Sequence, residues 1–272
     1  MRIAVCAPSA PLDRDDGDRV LAIAADYPDL ELSFHEQCFA VAGHFAGDDA
    51  TRLAAFVACA NDPAVDAMWF ARGGYGAVRI AETAINRLGP AARGKVFAGY
   101  SDGGTLLGAL YRAGIGRPVH APMPRDVIRD DGEAAVRRAL AWFAGSGEGL
   151  EPSLTGGTAP VAAFNLMTLA MLCGTRLMPD LGGHVVMIEE VSEHLYAVDR
   201  LLFHVTAHLA RHGIAGLRLG RVSQVPENDR PFGAKPAAMI ADWCARTGIE
   251  FLGSADIGHD AANKIVPFGL AR

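Results

Sequence analysis

Several kinds of feature are scarce in this chain of 272 residues, and each scarcity excludes something. Cysteine is sparse and odd in number, at positions 6, 38, 59, 173 and 244, with no C-x-x-C spacing. Each lies in or beside an apolar segment, and none sits on a turn of the kind a reactive thiol needs. That pattern fits buried, reduced thiols in a cytoplasmic protein. Positive charge is short as well. Twenty-five Lys and Arg face 31 Asp and Glu, for a net charge of −6, and no dense basic run interrupts that balance. Nucleic acid and anionic membrane surfaces are therefore disfavoured as partners. No uncharged apolar stretch reaches the roughly 18 residues of a membrane span; 159–174 comes nearest and is too short. The apolar run at Ile3–Ala7 stops at Pro8, too early for a secretory signal, and reads as a first β-strand. The turn after it, Ala7-Pro8-Ser9-Ala10-Pro11, lacks the glycines that let a pyrophosphate approach, which argues against a nicotinamide dehydrogenase.

What is present is apolar and regular. Half of the residues are hydrophobic, enough for a sizeable core. Apolar runs at 3–7, 30–34, 65–70, 95–98 and 119–120 alternate with helical patterns at 18–25, 48–60, 77–88, 105–111 and 132–143. Asp48 is a plausible N-cap for the second helix, and Asn61-Asp62-Pro63 stops it. Alternation of this length implies βαβ units and a mainly parallel sheet. The Gly-rich stretch 144–149 and the irregular composition up to 158 predict a linker. Beyond it, 161–173 has helical spacing, 185–189 is a strong strand, and 196–211 is a long helix. Strands at 217–222 and 249–252 flank a helix that starts after Pro236, and 264–267 is the last apolar run. The division expected is an N-terminal domain over 1–145, a linker over 146–160 and a C-terminal domain over 161–272.

The motif with the most chemical content is Gly99-Tyr100-Ser101-Asp102-Gly103, a G-x-S-x-G between a strand and a helix. A Ser on such a sharp turn is lifted out of the sheet, and the helix behind it points N–H groups and its positive end toward the hydroxyl. A hydroxyl is a weak nucleophile and needs a base, and the base needs an orienting group. Of nine histidines, His204, His208 and His212 share one helix at spacings of four. That spacing can hold a metal, yet no H-E-x-x-H is present and the helix is amphipathic, so ordinary helix-face histidines are the better reading. His120 ends a strand, where sites in parallel sheets collect, and is a candidate for the pocket wall. His259 lies on a Gly-flanked loop, Asp256-Ile257-Gly258-His259-Asp260, where capping and a site role are equally open. Glu189-Glu190 closes the strand 185–188, and a buried strand-end carboxylate needs a partner. Orienting a histidine and pairing with a cation such as Arg200 both satisfy that need. Arg72-Gly73-Gly74-Tyr75-Gly76 is a Gly-rich strand-to-helix turn. It is either a plain tight turn or a source of oxyanion-binding N–H groups near Ser101, with Tyr75 placed to close over a substrate.

Taken together, 70–76, Gly99-Tyr100-Ser101-Asp102, 187–193, Gly258-His259 and 265–269 resemble the LD-carboxypeptidases, the murein tetrapeptide carboxypeptidases of the S66 serine peptidases. Gly174-Thr175 and Tyr196-x-x-Asp199-Arg200 fit as well, and order and separation match along the whole chain. The resemblance implies an α/β protein with a flavodoxin-like N-terminal domain carrying Ser101 and a smaller β-rich α/β C-terminal domain carrying Glu189 and His259. It implies Ser101 as nucleophile, His259 as base and Glu189 as its orienting acid, with Gly74 and Asp102 N–H groups as oxyanion hole. Arg72, Tyr75 and His120 are then the candidate substrate-binding residues. No cofactor and no metal are implied. The implied substrate is a murein peptide, cut at an L,D bond to release terminal D-Ala in cytoplasmic wall recycling, and the implied assembly is a homodimer. Two departures stand out: Gly103-Gly104 where Ile or Val is common, and a short loop after Met123.

Two other functions are weighed. A hydrolase similar to microcin C immunity proteins would cleave acyl-nucleotide conjugates and carry an extra aromatic platform. Trp69, Trp142 and Trp243 all fall in regular elements and supply none. A non-catalytic muropeptide binder would not need Ser101, Glu189 and His259 together.

Overall fold

Strands β1 (Arg2–Cys6), β2 (Glu31–Phe34), β3 (Ala67–Phe70), β4 (Val96–Gly99) and β5 (Arg117–His120) run parallel. Helices α1 (Arg14–Ala24), α2 (Asp49–Asn61), α3 (Ala77–Asn86), α4 (Gly104–Ala113) and α5 (Gly132–Phe143) alternate with them. Every residue of β3 and β4 is buried. Helices cover both faces of the sheet, so these strands read as continuous apolar runs without alternation. Asp48 caps α2 as expected, accepting from the Thr51 N–H at 2.7 Å. The structure, a computed structural model, describes residues 1–270.

The spatial order of these five strands is β5-β4-β3-β1-β2. This is the doubly wound, flavodoxin-like order, in which ligands sit outside the carboxyl ends of the strands. One core lies on the α1 and α5 side, around Val5, Trp69, Val136 and Leu140. A second lies on the α2 to α4 side, around Phe56, Phe70, Phe97 and Leu107.

The second sheet is smaller and also parallel. It runs β6 (Val161–Asn165), β7 (Val185–Val191), β8 (Gly216–Ser223), β9 (Phe251–Ser254) in order. Helices α6 (Leu166–Leu172), α7 (Leu195–Arg211) and α8 (Pro236–Thr247) pack on it around Phe164, Ile188, Leu202 and Leu217. The helical reading of 161–173 needs correction. Its first five residues are β6, and Asn165 punctuates the change by capping α6, its side chain accepting from the Thr168 N–H at 3.0 Å. An unbroken apolar run carries no period that separates a buried strand from a buried helix.

The last strand, β10 (Val266–Pro267), leaves the second sheet. It pairs antiparallel with β5 at the edge of the first, Val266 opposite His120 and Pro267 opposite Val119. The segment between β9 and β10 therefore spans both sheets. The stretch 144–160 is ordered against it: Glu151, buried, accepts from the Asp256 N–H at 3.1 Å, and Leu150 bridges Ile265. No helix among the described residues is long and apolar enough to cross a membrane.

Candidate active site

Ser101 follows β4 after one residue, Tyr100, and takes φ of +58°, a left-handed conformation that is uncommon for a non-Gly residue and costs energy. The glycines on either side are dictated by Phe70. A Cβ on Gly99 would stand 2.7 Å from the Phe70 ring, and one on Gly103 would stand 2.9 Å from it. Gly73 is equally constrained, because a Cβ there would lie 2.7 Å from Ser101 Oγ. The backbone carbonyl of Ser101 accepts from the Thr168 hydroxyl of α6 at 3.2 Å, so the second sheet's first helix grips the turn.

His259 Nε2 lies 3.0 Å from Ser101 Oγ, and its Nδ1 lies 2.6 Å from Glu189 Oε2. An ionised carboxylate only accepts, which places the imidazole proton on Nδ1 and leaves the Nε2 lone pair toward the Ser101 hydroxyl. Glu189 is fully buried near the end of β7, at a slip of register against β8 between Ile188 and Glu190. Its neighbour Glu190 has a separate task. It accepts from Asn165 Nδ2, the Met167 N–H and the Val191 N–H, each at 2.8 Å, while burial pushes its carboxyl upward. Neither glutamate pairs with Arg200, whose guanidinium lies over the Tyr196 ring.

The loop carrying His259 is stapled on both flanks. Arg221 pairs with Asp256 at 2.5 Å and with Asp260. Asn263 Oδ1 accepts from the Gly258 N–H at 3.1 Å and from His120 Nε2 at 3.0 Å. Here one expectation is corrected: His120 does not line the cavity. It is 1% exposed, covered by β10 across the edge of the sheet, and separated from Ser101 by the ring of Tyr100. Burial lowers its pKa, so the neutral ring donates from Nε2 to Asn263 and supports the His259 loop from behind. The Tyr100 ring packs against both histidines, 5.4 Å from His120 and 4.8 Å from His259. Its hydroxyl donates to Asp126 at 2.7 Å, and burial keeps the phenol protonated.

A small cavity of about 110 Å³ opens beside Ser101 and His259, walled by Arg72, Gly74, Met123, Arg125 and Arg129. Arg72 and Gly74 both line it, Gly74 with φ of +110°. Tyr75 is on the rim, half exposed against His44 and Phe45, outside the cavity wall. The Asp102 backbone lies close by, 3.6 Å from where a Gly73 Cβ would stand. The Asp102 carboxylate is buried and accepts from the Ser9 hydroxyl and from the Ala77 N–H at the start of α3, tying three strand ends together.

Asp126, Arg125, Arg129, Asn263 and Thr168 were not singled out from the sequence. Asp126 and the two arginines follow β5 at its carboxyl end, and that position was the available signal. A larger apolar cavity of about 820 Å³ opens at the opposite end of β4 and β5, beside Val96 and Arg117, and contains none of the Ser–His–Glu group. The histidines of α7 stack on one another, His208 and His212 at 4.5 Å, and among the described residues no cluster has metal-holding geometry. All five cysteines are free thiols, and burial pushes each pKa upward, that of Cys59 to about 11.

Comparison with known proteins bears on the family and the fold. A family model for the LD-carboxypeptidase N-terminal domain matches residues 3–121, and one for the LD-carboxypeptidase C-terminal domain matches 158–271. A Streptomyces coelicolor protein whose name places it among carboxypeptidases is 30% identical over 99% of this chain and 88% of its own. The murein tetrapeptide carboxypeptidase of Pseudomonas aeruginosa is 24% identical over 98% of this chain and 91% of its own. Among solved structures, muramoyltetrapeptide carboxypeptidase from Oxalobacter formigenes superposes with a TM-score of 0.79 at 23% identity, covering 99% of this chain and 93% of that one. A microcin C7 self immunity protein in complex with aspartyl sulfamoyl adenosine follows at 0.78 and 16%, covering 98% and 91%.

Proposed function

The chain belongs to the LD-carboxypeptidase family, and from that premise we propose that it releases terminal D-Ala from murein tetrapeptide by hydrolysing the L,D-peptide bond. The observation that carries the reading is the continuous contact from Glu189 through His259 to Ser101 Oγ, made across two sheets.

In this mechanism Ser101 Oγ attacks the scissile carbonyl carbon while His259 Nε2 takes its proton. Glu189 holds Nδ1–H and stabilises the imidazolium that forms. The N–H groups of Gly74, in the turn after β3, and of Asp102, just ahead of α4, receive the charge that develops on the carbonyl oxygen. The tetrahedral species collapses, His259 Nε2 protonates the departing amine, and D-Ala leaves. Water then hydrolyses the acyl-Ser101 ester by the same route in reverse roles. Substrate contact is assigned to Arg72 in the cavity and Tyr75 at the rim. The same reading places the enzyme in the cytoplasm, as a homodimer, acting in wall recycling; five free thiols, four of them buried, suit a reducing compartment.

Two alternatives fare less well. An acyl-nucleotide hydrolase needs an aromatic platform, and the three tryptophans serve packing instead. Trp69 is buried and donates to the Pro122 carbonyl, Trp142 packs on the core, and Trp243 donates to Asp199. A muropeptide binder has no use for a strained serine in contact with an oriented histidine.

The test is incubation with L-Ala-γ-D-Glu-meso-Dap-D-Ala. Free D-Ala should appear with the native protein, be absent with Ser101→Ala, and be unaffected by EDTA. Release of D-Ala by Ser101→Ala would overturn the proposal.

A further inference from the structure

The cavity beside Ser101 is walled by three arginines, and they are not equivalent. Arg125 is committed to Asp13 and Asp16 of the α1 region. Arg129 is committed to Asp126 at 2.7 Å, with its other end toward the Tyr100 hydroxyl. Arg72 has no carboxylate within ion-pair distance among the described residues, where its guanidinium makes one hydrogen bond, Nη1 donating to the Pro11 carbonyl at 3.0 Å. A guanidinium carries five N–H donors, so most of its fork remains available. The one carboxylate on the cavity wall, Asp126, does not neutralise it. Asp126 is occupied by the Tyr100 hydroxyl, Arg129 Nε and the Met123 N–H, each at 2.7 Å. A half-buried cation without an ionic partner is costly unless something completes it.

Resting on the reading of Ser101 as the nucleophile, we infer that Arg72 takes the free carboxylate of the substrate's terminal residue, with Arg125 and Arg129 fixed beside it. Three observations support the assignment. Arg72 precedes Gly73, which lies against Ser101 Oγ, so its backbone is anchored beside the turn that carries the reacting atom, and its side chain lines the same cavity. A terminal carboxylate lies one residue beyond the scissile carbonyl. A planar fork matches a carboxylate with two parallel hydrogen bonds, which fixes orientation as well as charge. The cavity of about 110 Å³ holds Arg72 and Ser101 on one wall, so a terminal acid can meet the fork while the scissile carbonyl meets the hydroxyl.

The experiment compares kcat/KM for the tetrapeptide ending in D-Ala with that for the same peptide ending in D-alaninamide. The native enzyme should prefer the acid by at least about 100-fold, the scale of a lost charge-assisted contact that leaves a buried cation unpaired. In Arg72→Gln the acid should fall by about 100-fold and the amide by less than about threefold, so the preference collapses, and Arg72→Lys should restore part of it. A native enzyme indifferent to the amide, or an Arg72→Gln variant that keeps the preference or loses both substrates equally, overturns the inference. Thermal unfolding of the variants reports whether they fold. Cleavage surviving in Ser101→Ala would defeat the nucleophile reading alone, since the acid-to-amide ratio still reports on Arg72. If the native enzyme cleaves neither peptide, calorimetric titration with free D-alanine and with D-alaninamide replaces turnover. Binding of the acid only, lost in Arg72→Gln, supports the inference; equal binding, or none, overturns it.

Discussion

Ser101 and Glu189 both stand at the carboxyl end of a parallel strand, but the two sheets present them by opposite means. In the first sheet the active group is made locally. A left-handed residue between two glycines, wedged over Phe70, turns the hydroxyl out of the sheet. In the second, the active group is made by tertiary register. Glu189 is held inside β7 at a slip against β8, and Gly220 of β8 leaves the room it needs. A Cβ on Gly220 would come within 2.7 Å of Ile257 and 2.9 Å of Glu189 Cβ. The difference teaches that the turn presenting Ser101 is encoded in five consecutive residues, whereas holding Glu189 needs a whole sheet at the correct offset and holding His259 needs the segment that follows it.

The sharpest way to break the comparison is to remove each half in turn. Ser101→Ala and His259→Ala should each cost about 10⁴-fold or more in kcat for D-Ala release, with the double variant no worse than either. Glu189→Gln should cost somewhat less; a loss below tenfold would reduce the second sheet to a scaffold. The next effect uses the two crowded glycines. Gly73→Ala and Gly220→Ala should each lower kcat by about 100-fold, but for different reasons. Gly73→Ala displaces Ser101 Oγ at the cavity and should leave the unfolding midpoint nearly unchanged. Gly220→Ala overpacks the interior against the Ile257 carbonyl and should destabilise by about 1–3 kcal/mol in urea titration. Matching stability losses would erase the distinction between a local and a tertiary site.

Asn263→Ala tests the seam between the halves. It removes the acceptor shared by His120 and the Gly258 N–H, and should cost about 1–3 kcal/mol together with roughly tenfold in kcat. The smallest effect is electrostatic. Burial raises the carboxyl pKa of Asp102 above that of the unfolded chain, so the folded form holds this proton more tightly. The stability it contributes is complete below the ordinary carboxylate range and declines as pH rises through the raised value. Glu190 acts in the same direction in the second sheet. Melting curves over this pH range should show a shallower decline in Asp102→Asn than in the native protein.

These contrasts explain what could be read from the chain. Alternating apolar runs and helical patterns sufficed for the five-strand parallel sheet, because its buried strands are short apolar runs bounded by amphipathic helices, one of them capped by Asp48. The elbow was equally visible, since its glycines stand two residues to either side of the serine. Strand β6 was hidden because 161–173 is apolar throughout and only Asn165 marks the change. His120 looked like a pocket residue from its strand-end position, and nothing local reveals that β10 returns to cover it. Glu189 and His259 were each ambiguous by themselves: pairing with Arg200 was as consistent with spacing as orienting a histidine. The Arg72, Arg125 and Arg129 cluster was beyond reach for a related reason. Which arginine lacks a carboxylate depends on Asp13, Asp16 and Asp126, which are brought together only by folding.

The return of β10 to the first sheet also governs the order in which the molecule becomes competent. His259 is 158 residues from Ser101 in sequence and rides on a segment moored to one sheet at β9 and to the other at β10. Contacts of such separation close late, after each sheet has gathered its own local βα units. The backbone can thus reach nearly all of its secondary structure while Ser101 still faces an empty cleft. The Ser101–His259 contact is therefore expected to close last, when a two-residue strand finds the edge of a sheet begun at the other end of the sequence.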